Sequence, residues 1–189
     1  SRINSGDAAA ADEEVRALIE KAMEYSQATG GAFDITLAPV SSAWGFTEDA
    51  YRVPSQAELD ELLTHVGMEH VHLTADGVEL DAGTQIDLGA IAKGYASDVV
   101  ADLYEKWDIP RGLARLGGNI YAKGTRPDGG LWRGGVQDPA NPEDSNALVG
   151  LLELSDAFAV TSGGYQRYFE DNGKTYHHII DPATGYPAE

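Results

Sequence analysis

The 189-residue chain has no cysteine. That absence removes disulfides, thiolate zinc sites and cysteine nucleophiles together, although it leaves the compartment open, because disulfide-free secreted proteins are common. Positive charge is scarce: 13 Lys and Arg stand against 31 Asp and Glu, for a formal charge of -18 at pH 7. A chain so acidic repels nucleic acid and anionic lipid, which excludes a nucleic-acid-binding or cationic membrane-surface role. No apolar run approaches the ~18 residues of a spanning helix. No signal peptide precedes Ser1, so the protein is expected to be cytosolic or to have lost its leader. Neither GxxxxGK[ST] nor GxGxxG occurs, and a nucleotide would have to be held by other means. Repeats and low-complexity tracts are also missing.

What remains suffices for a core. At 42% hydrophobic and 23% charged residues, and with roughly 150 residues per domain as the prior, the composition predicts one globular domain over residues 1–189. Val15, Leu18, Ile19, Ala22 and Met23 recur at helical spacing until Gly30-Gly31, which predicts a helix from about Asp12 to Ala28. Ser55 with Glu58 forms a capping box ahead of Leu59, Leu62, Leu63 and Val66, and a second helix should run to Gly67. From His70 the period falls to two, and Val71, Leu73, Asp76-Gly77, Val78 and Leu80 read as a hairpin with its turn at Asp76-Gly77. A third helix is expected from about Ala90 to Trp107. Beyond Pro110 the texture is β-like, with strands near Leu113 to Ala122, Leu131 to Gln137, Leu148 to Leu154, Ala157 to Thr161 and Lys174 to Ile180. Asn172-Gly173 supplies a hairpin turn, and Asp138 to Asn146, with Pro139 and Pro142, a surface loop. Short connections and only three helices predict an α+β fold, a largely antiparallel sheet packed with helices.

Three stretches carry chemistry: Gly30 to Thr36, Asp87 to Gly94, and Thr161 to Tyr165 together with His177 to Pro187. In the second, an acidic residue ends a strand, small residues let the chain turn, and Lys93 stands on the first turn of the next helix. Helix-start amides and a cation suit a phosphate, and a strand-to-helix turn with a solvated lysine fits the same residues. His177 and His178 are adjacent, so on a strand they face opposite sides and cannot share one metal. An inward His178 before the rigid Asp181-Pro182 turn suits a general base or a phosphate donor, or a hydrogen-bonded core histidine. His70 and His72 share a strand face and could begin a zinc site, but no third ligand is evident nearby. Phe33 and Tyr165 could stack on an aromatic ring or simply pack.

Taken in order and at these separations, the stretches resemble the ApbE family of FAD:protein FMN transferases. The matching residues run through essentially the whole chain. They are Ser1-Arg2-Ile3-Asn4, Gly31 to Thr36 with Pro39 and Trp44-Gly45-Phe46, and Asp87 to Ala96. Leu116-Gly117-Gly118-Asn119-Ile120, Thr161-Ser162-Gly163, His178 to Pro182 and Thr184-Gly185 complete the set. Each piece is permissive alone; the ordered set is specific.

The resemblance implies an ApbE-like (T-fold-like) single domain. It implies an enzyme of the bacterial cell envelope, often a lipoprotein at the outer face of the cytoplasmic membrane or in the periplasm. Such an enzyme splits FAD, links the FMN half to a Ser/Thr-Gly-Ala-Ser/Thr-type site of an acceptor flavoprotein such as a redox-driven ion pump subunit, and releases AMP. The family requires Mg2+, which also lets an acidic protein bind an anionic diphosphate. By the same resemblance Ala32, Phe33, Asp34, Asp87, Lys93 and Ile180 contact FAD, the Ala90 carbonyl binds Mg2+, and His178 is the transfer histidine. Family members extend past the Thr-Gly-x-Pro element into a segment supplying an aspartate and a threonine or serine to the metal site. They also extend upstream, through a lipid-attachment cysteine that would be the only link to a membrane. Both lie outside this stretch, which is expected to be truncated at both ends relative to the family. Gly164 replaces a residue that is often polar or acidic in the family. Two further readings use the same site: an FAD pyrophosphatase that frees FMN and AMP, and a non-catalytic FAD-binding protein.

Overall fold

The computed structural model describes residues 2–48, 50–141 and 143–188. Ser1 of the first matching motif, Pro142 of the surface loop and Glu189 lie outside the described residues.

Helix α1 spans Glu13–Ala28. Asp12 caps it by accepting from Val15 N at 2.9 Å, and Glu13 and Glu14 in the first turn oppose the positive end of the helix dipole. Its buried residues, Leu18, Ile19, Ala22 and Ser26, follow the spacing of the sequence. Helix α2, Ala38–Ala43, has Pro39 in its first turn and was not expected; six residues are too few to display a period. Helix α3 is Gln56–Leu63, with Ser55 accepting from Glu58 N at 3.2 Å. It stops short of Val66 because the chain tightens: Thr64, His65 and Val66 donate to Glu61, Leu62 and Leu63, three residues back. Helix α4, Gly89–Lys106, lies one residue from its expected bounds at each end.

The strands are β1 Val71–Thr74, β2 Gly77–Leu80, β3 Gly112–Leu116, β4 Asn119–Lys123, β5 Trp132–Gln137, β6 Leu148–Leu154, β7 Ala157–Ala159, β8 Tyr168–Asp171 and β9 Lys174–His177. They pair as β1-β2, β3-β4-β7, β5-β6 and β8-β9, antiparallel throughout. An isolated bridge between Leu37 and Gln85 is parallel. The fold is therefore α+β as expected, with the β-structure in four small sheets. Several sequence expectations shift. Gly77 already pairs with Thr74, so the first hairpin turns on Ala75-Asp76. The run Leu113 to Ala122 is two strands, folded back at Gly117, whose φ of +60° is the left-handed conformation open to glycine. The strands expected to reach Thr161 and Ile180 end at Ala159 and His177.

The chain forms two compact units, residues 1–90 with 167–189, and residues 91–166. The core of the first gathers Val40, Trp44, Phe46, Leu59 and Ile180. Trp44 is fully buried and meets Phe46, Phe169, Tyr176 and Tyr186 at ring separations of 5.1–6.3 Å. Burial of each such side chain is worth about 1.5–3 kcal/mol before entropy is charged. In the second unit Tyr104 of α4 packs on Tyr121, which stacks on Phe158 at 4.6 Å. Gly134 of β5 lies against Ile120 and Leu154.

Candidate functional site

The first chemical stretch leaves α1 through Gly30-Gly31 and is drawn into a fixed shape by its own side chains. Thr29 Oγ1 accepts from Phe33 N at 3.0 Å. Asp34 Oδ1 accepts from Thr36 N at 2.7 Å and from Thr36 Oγ1 at 2.5 Å, and Thr36 Oγ1 accepts from Gly67 N at 2.7 Å. Asp34 thus bends the backbone around itself, an Asx turn closed by a buried threonine. Phe33 meets Tyr25 edge-on at 6.2 Å, and Ala32 is exposed.

Alongside runs the second stretch. Asp87 N donates to Ile35 O at 2.8 Å, which joins the two expected FAD-contacting segments side by side. Asp87 Oδ1 accepts from Gly89 N at 2.8 Å, directing the chain into α4. Asp87, Ala90 and Lys93 are all exposed. Lys93 belongs to the second unit, so its distance to Asp34 and His178 is no part of the first unit's geometry.

Asn4 completes the layer. Its Nδ2 donates to Ile86 O and its Oδ1 accepts from Ile86 N, both at 3.0 Å. The amide acts as one more strand partner for Ile86. A hollow of about 440 Å³ beside it is lined by Arg2, Ile3, Val15, Ile86, Asp87 and Leu88. A larger groove of about 540 Å³ runs along α1 past Gly31 and carries Glu20, Glu24 and Glu69. For an anionic ligand the smaller hollow, with Arg2 and Asp87, is the better match in charge.

The third stretch continues from β9. His178 is half-buried. Its backbone N donates to Arg167 O at 3.1 Å, and its Nδ1 stands 3.1 Å from the same carbonyl. A carbonyl only accepts, so Nδ1 carries the proton and, in the neutral ring, the lone pair lies on Nε2. The ring meets Phe46 edge-on at 6.5 Å. Gly45, before it, has φ +81°, and a Cβ there would sit 2.1 Å from the Ala50 carbonyl; the Trp44-Gly45-Phe46 motif keeps its glycine for that close approach. His177, the last residue of β9, accepts from Ile179 N through Nδ1 at 3.3 Å. The side chain of Ile180 is in the core, which leaves its backbone for any ligand contact.

Asp181 to Tyr186 form a tight turn. Asp181 N donates to Tyr186 O at 2.8 Å, and Thr184 N and Gly185 N return to Asp181 O. Trp44 Nε1 pins it by donating to Gly185 O at 2.7 Å. In the second unit Thr161 Oγ1 lies 3.5 Å from Gly118 O, which joins two further matching motifs.

Sequence reasoning missed two things. Asn4 was only part of a motif, and its partner stands 82 residues away. His70 and His72 lacked a third group; Asp81 supplies it, with Oδ2 at 3.0 Å from His70 Nδ1 and Oδ1 at 2.8 Å from His72 Nε2. These contacts hold the Asp81 carboxyl below the usual aspartate range, the hydrogen bond from His70 being the larger cause. The spacing from His72 to Asp81, set by a two-residue turn, was the signal available.

The chain is 38% identical over 194 residues to the FAD:protein FMN transferase of Treponema pallidum, an alignment covering 94% of this chain and 53% of that protein. It is 35% identical to the protein of the same name from Vibrio cholerae, over 90% of this chain and 51% of that one. It spans about half the length of these curated relatives. Among solved structures it superposes with a TM-score of 0.84 on the ApbE protein of Thermotoga maritima, at 38% identity, covering 94% of this chain and 58% of that one. The apo flavinyl transferase ApbE of Pseudomonas stutzeri gives a TM-score of 0.80 at 32% identity, over 94% and 55%. The ApbE family model matches residues 1–189, and the chain belongs to the ApbE family.

Proposed function

We propose that this chain is the FAD-handling part of a flavin transferase that moves FMN from FAD to a serine or threonine hydroxyl of an acceptor flavoprotein and releases AMP. The observation that carries the reading is the Asp87 N to Ile35 O bond at 2.8 Å, which lays the two expected FAD-contacting segments against each other in a protein whose relatives are named for this reaction. Asp34, Ala32, Phe33 and Asp87, with the backbone of Ile180, present the FAD-facing surface of the first unit; Lys93, in the second unit, is an FAD contact by family resemblance.

The acceptor hydroxyl attacks the phosphorus on the FMN side. His178, with Nδ1–H committed to Arg167 O, takes the hydroxyl proton at Nε2 as the new O–P bond forms. The P–O–P bridge breaks, and AMP leaves with the electron pair. Ala90 is exposed at the start of α4 and its carbonyl is a hard oxygen of the class Mg2+ takes; Asp87, two residues before the helix, would be a second such donor. A Mg2+ held there would supply charge neutralisation for the diphosphate. The strong negative charge of the chain supports the need for it. By family, the protein works at the cell envelope, reaching a membrane only through a lipid anchor, and its acceptor carries a Ser/Thr-Gly-Ala-Ser/Thr-type site.

Incubation of the native-length protein with FAD, Mg2+ and such an acceptor tests the reading. Covalent flavin on the acceptor is the expected result. Free FMN with AMP would make it a pyrophosphatase, and FAD that stays bound and whole a flavin-binding protein. His178→Ala and Lys93→Ala should each lower transfer while the fold persists; undiminished transfer in both at saturating FAD and Mg2+ refutes the assignment.

A further inference from the structure

The hairpin β1-β2 carries a second cluster of chemically active side chains. Its register sets His72 opposite Glu79 and Val71 opposite Leu80, and Asp81 N donates to His70 O at 3.0 Å, extending the ladder by one pair. Alternation along both strands then puts Val71 and Val78 inward, where both are buried, and His70, His72, Glu79 and Asp81 together on the outer face. We infer that this outer face, two imidazoles at the start of β1 facing two carboxylates at the end of β2, chelates a divalent transition cation such as Zn2+ through His70, His72 and Asp81, with Glu79 placed for the fourth position.

The chemistry fits a borderline cation and not Mg2+, which takes oxygen ligands and keeps its water. Distances fit as well. Two donors that share a zinc ion at bonds of about 2.0–2.1 Å stand about 3.3 Å apart. The imidazole nitrogens stand 3.0 and 2.8 Å from the oxygens of Asp81. As they stand, no group of three or more His, Cys, Asp or Glu side chains among the described residues is arranged to hold a metal ion. Here each ring grips a different oxygen of one carboxylate, and a side-chain rotation of Asp81 turns that bridge into a chelate. Ionised Asp81 is acceptor-only, so the facing nitrogens now carry protons; the ion takes their place, as the protons move to the outer ring nitrogens or to water. A bound ion ties the start of β1 to the end of β2, and so stabilises the hairpin by binding the folded chain.

Calorimetric titration of the full chain with ZnCl2 in a non-chelating buffer, beside His70→Ala, His72→Ala and Asp81→Asn, tests the site. One equivalent of Zn2+ bound by the parent should disappear, or weaken by at least about tenfold, in each variant. A Zn2+-dependent rise in melting temperature should vanish with it, and MgCl2 should produce neither. Binding at His65, His177 or His178 would survive all three substitutions, so equal uptake by parent and variants overturns the proposal, as does no uptake by the parent. Melting in EDTA checks that each variant folds, and His72→Gln, which keeps the bulk and removes the ligand, covers the case in which alanine does not.

Discussion

Trp44 joins the core of the first unit to the turn that follows His178, and Trp44→Phe separates those two roles. The indole Nε1 donates to Gly185 O at 2.7 Å in a buried setting, so phenylalanine leaves that carbonyl without its donor, at about 1–3 kcal/mol. Loss of the second ring beneath Phe169, Tyr176 and Tyr186 removes packed atoms at a fully buried position, for about 1–2 kcal/mol more. The expected total is about 2–5 kcal/mol. Trp107→Phe is the control: that side chain is 71% exposed, and its loss should stay within about 0.5 kcal/mol. Urea denaturation followed by circular dichroism measures both, and a transition that splits in two would assign the loss to one unit. Hydrogen exchange supplies the local readout, because Asp181 N and Gly185 N, bonded to Tyr186 O and Asp181 O, should exchange faster in the variant. Costs for the two substitutions within about 1 kcal/mol of each other, with unchanged exchange at the turn, would refute the claim that Trp44 holds the turn in place.

Asn4→Ala removes both hydrogen bonds to the Ile86 backbone and should cost about 1–3 kcal/mol in urea denaturation; a neutral result would mean that Ile86 needs no side-chain partner. Asp34→Ala frees Thr36 N and Oγ1 and should weaken FAD binding in a flavin fluorescence titration. Asp34→Asn keeps one acceptor and should lose less, whereas equal affinity in all three proteins would remove Asp34 from the site. The hydrogen bond from Arg52 holds the Glu58 carboxyl below its ordinary value. The small stabilisation of this exposed pair is then present above the ordinary glutamate value and lost as pH falls through the depressed one. Arg52→Gln should move the Glu58 titration, followed by carboxyl 13C NMR, back toward the ordinary value, and an unmoved midpoint would contradict the pairing.

What the sequence could reveal was what neighbours decide. Helices α1 and α3 were legible at their starts because Asp12 and Ser55 cap amides three residues away. The fold of Leu113 to Ala122 into two strands was signalled by Gly117-Gly118 at its centre, yet apolar residues on both sides made one strand the simpler reading. Asp34 and Asp87 were singled out as FAD contacts by the family resemblance; that each turns the chain through an amide two residues on is a local feature the structure adds. His178 shows where such reasoning stops. Its identity and the Asp181-Pro182 turn beside it were visible, but the proton position on its ring is set by a carbonyl 11 residues earlier. The turn itself is held by an indole 141 residues earlier. Chemical groups in this chain sit in short, self-bent segments, and long-range partners set their orientation. Substituting those partners should therefore alter the site while every proposed FAD-contacting residue stays unchanged, which separates Trp44 and Asn4 from the residues proposed to touch FAD.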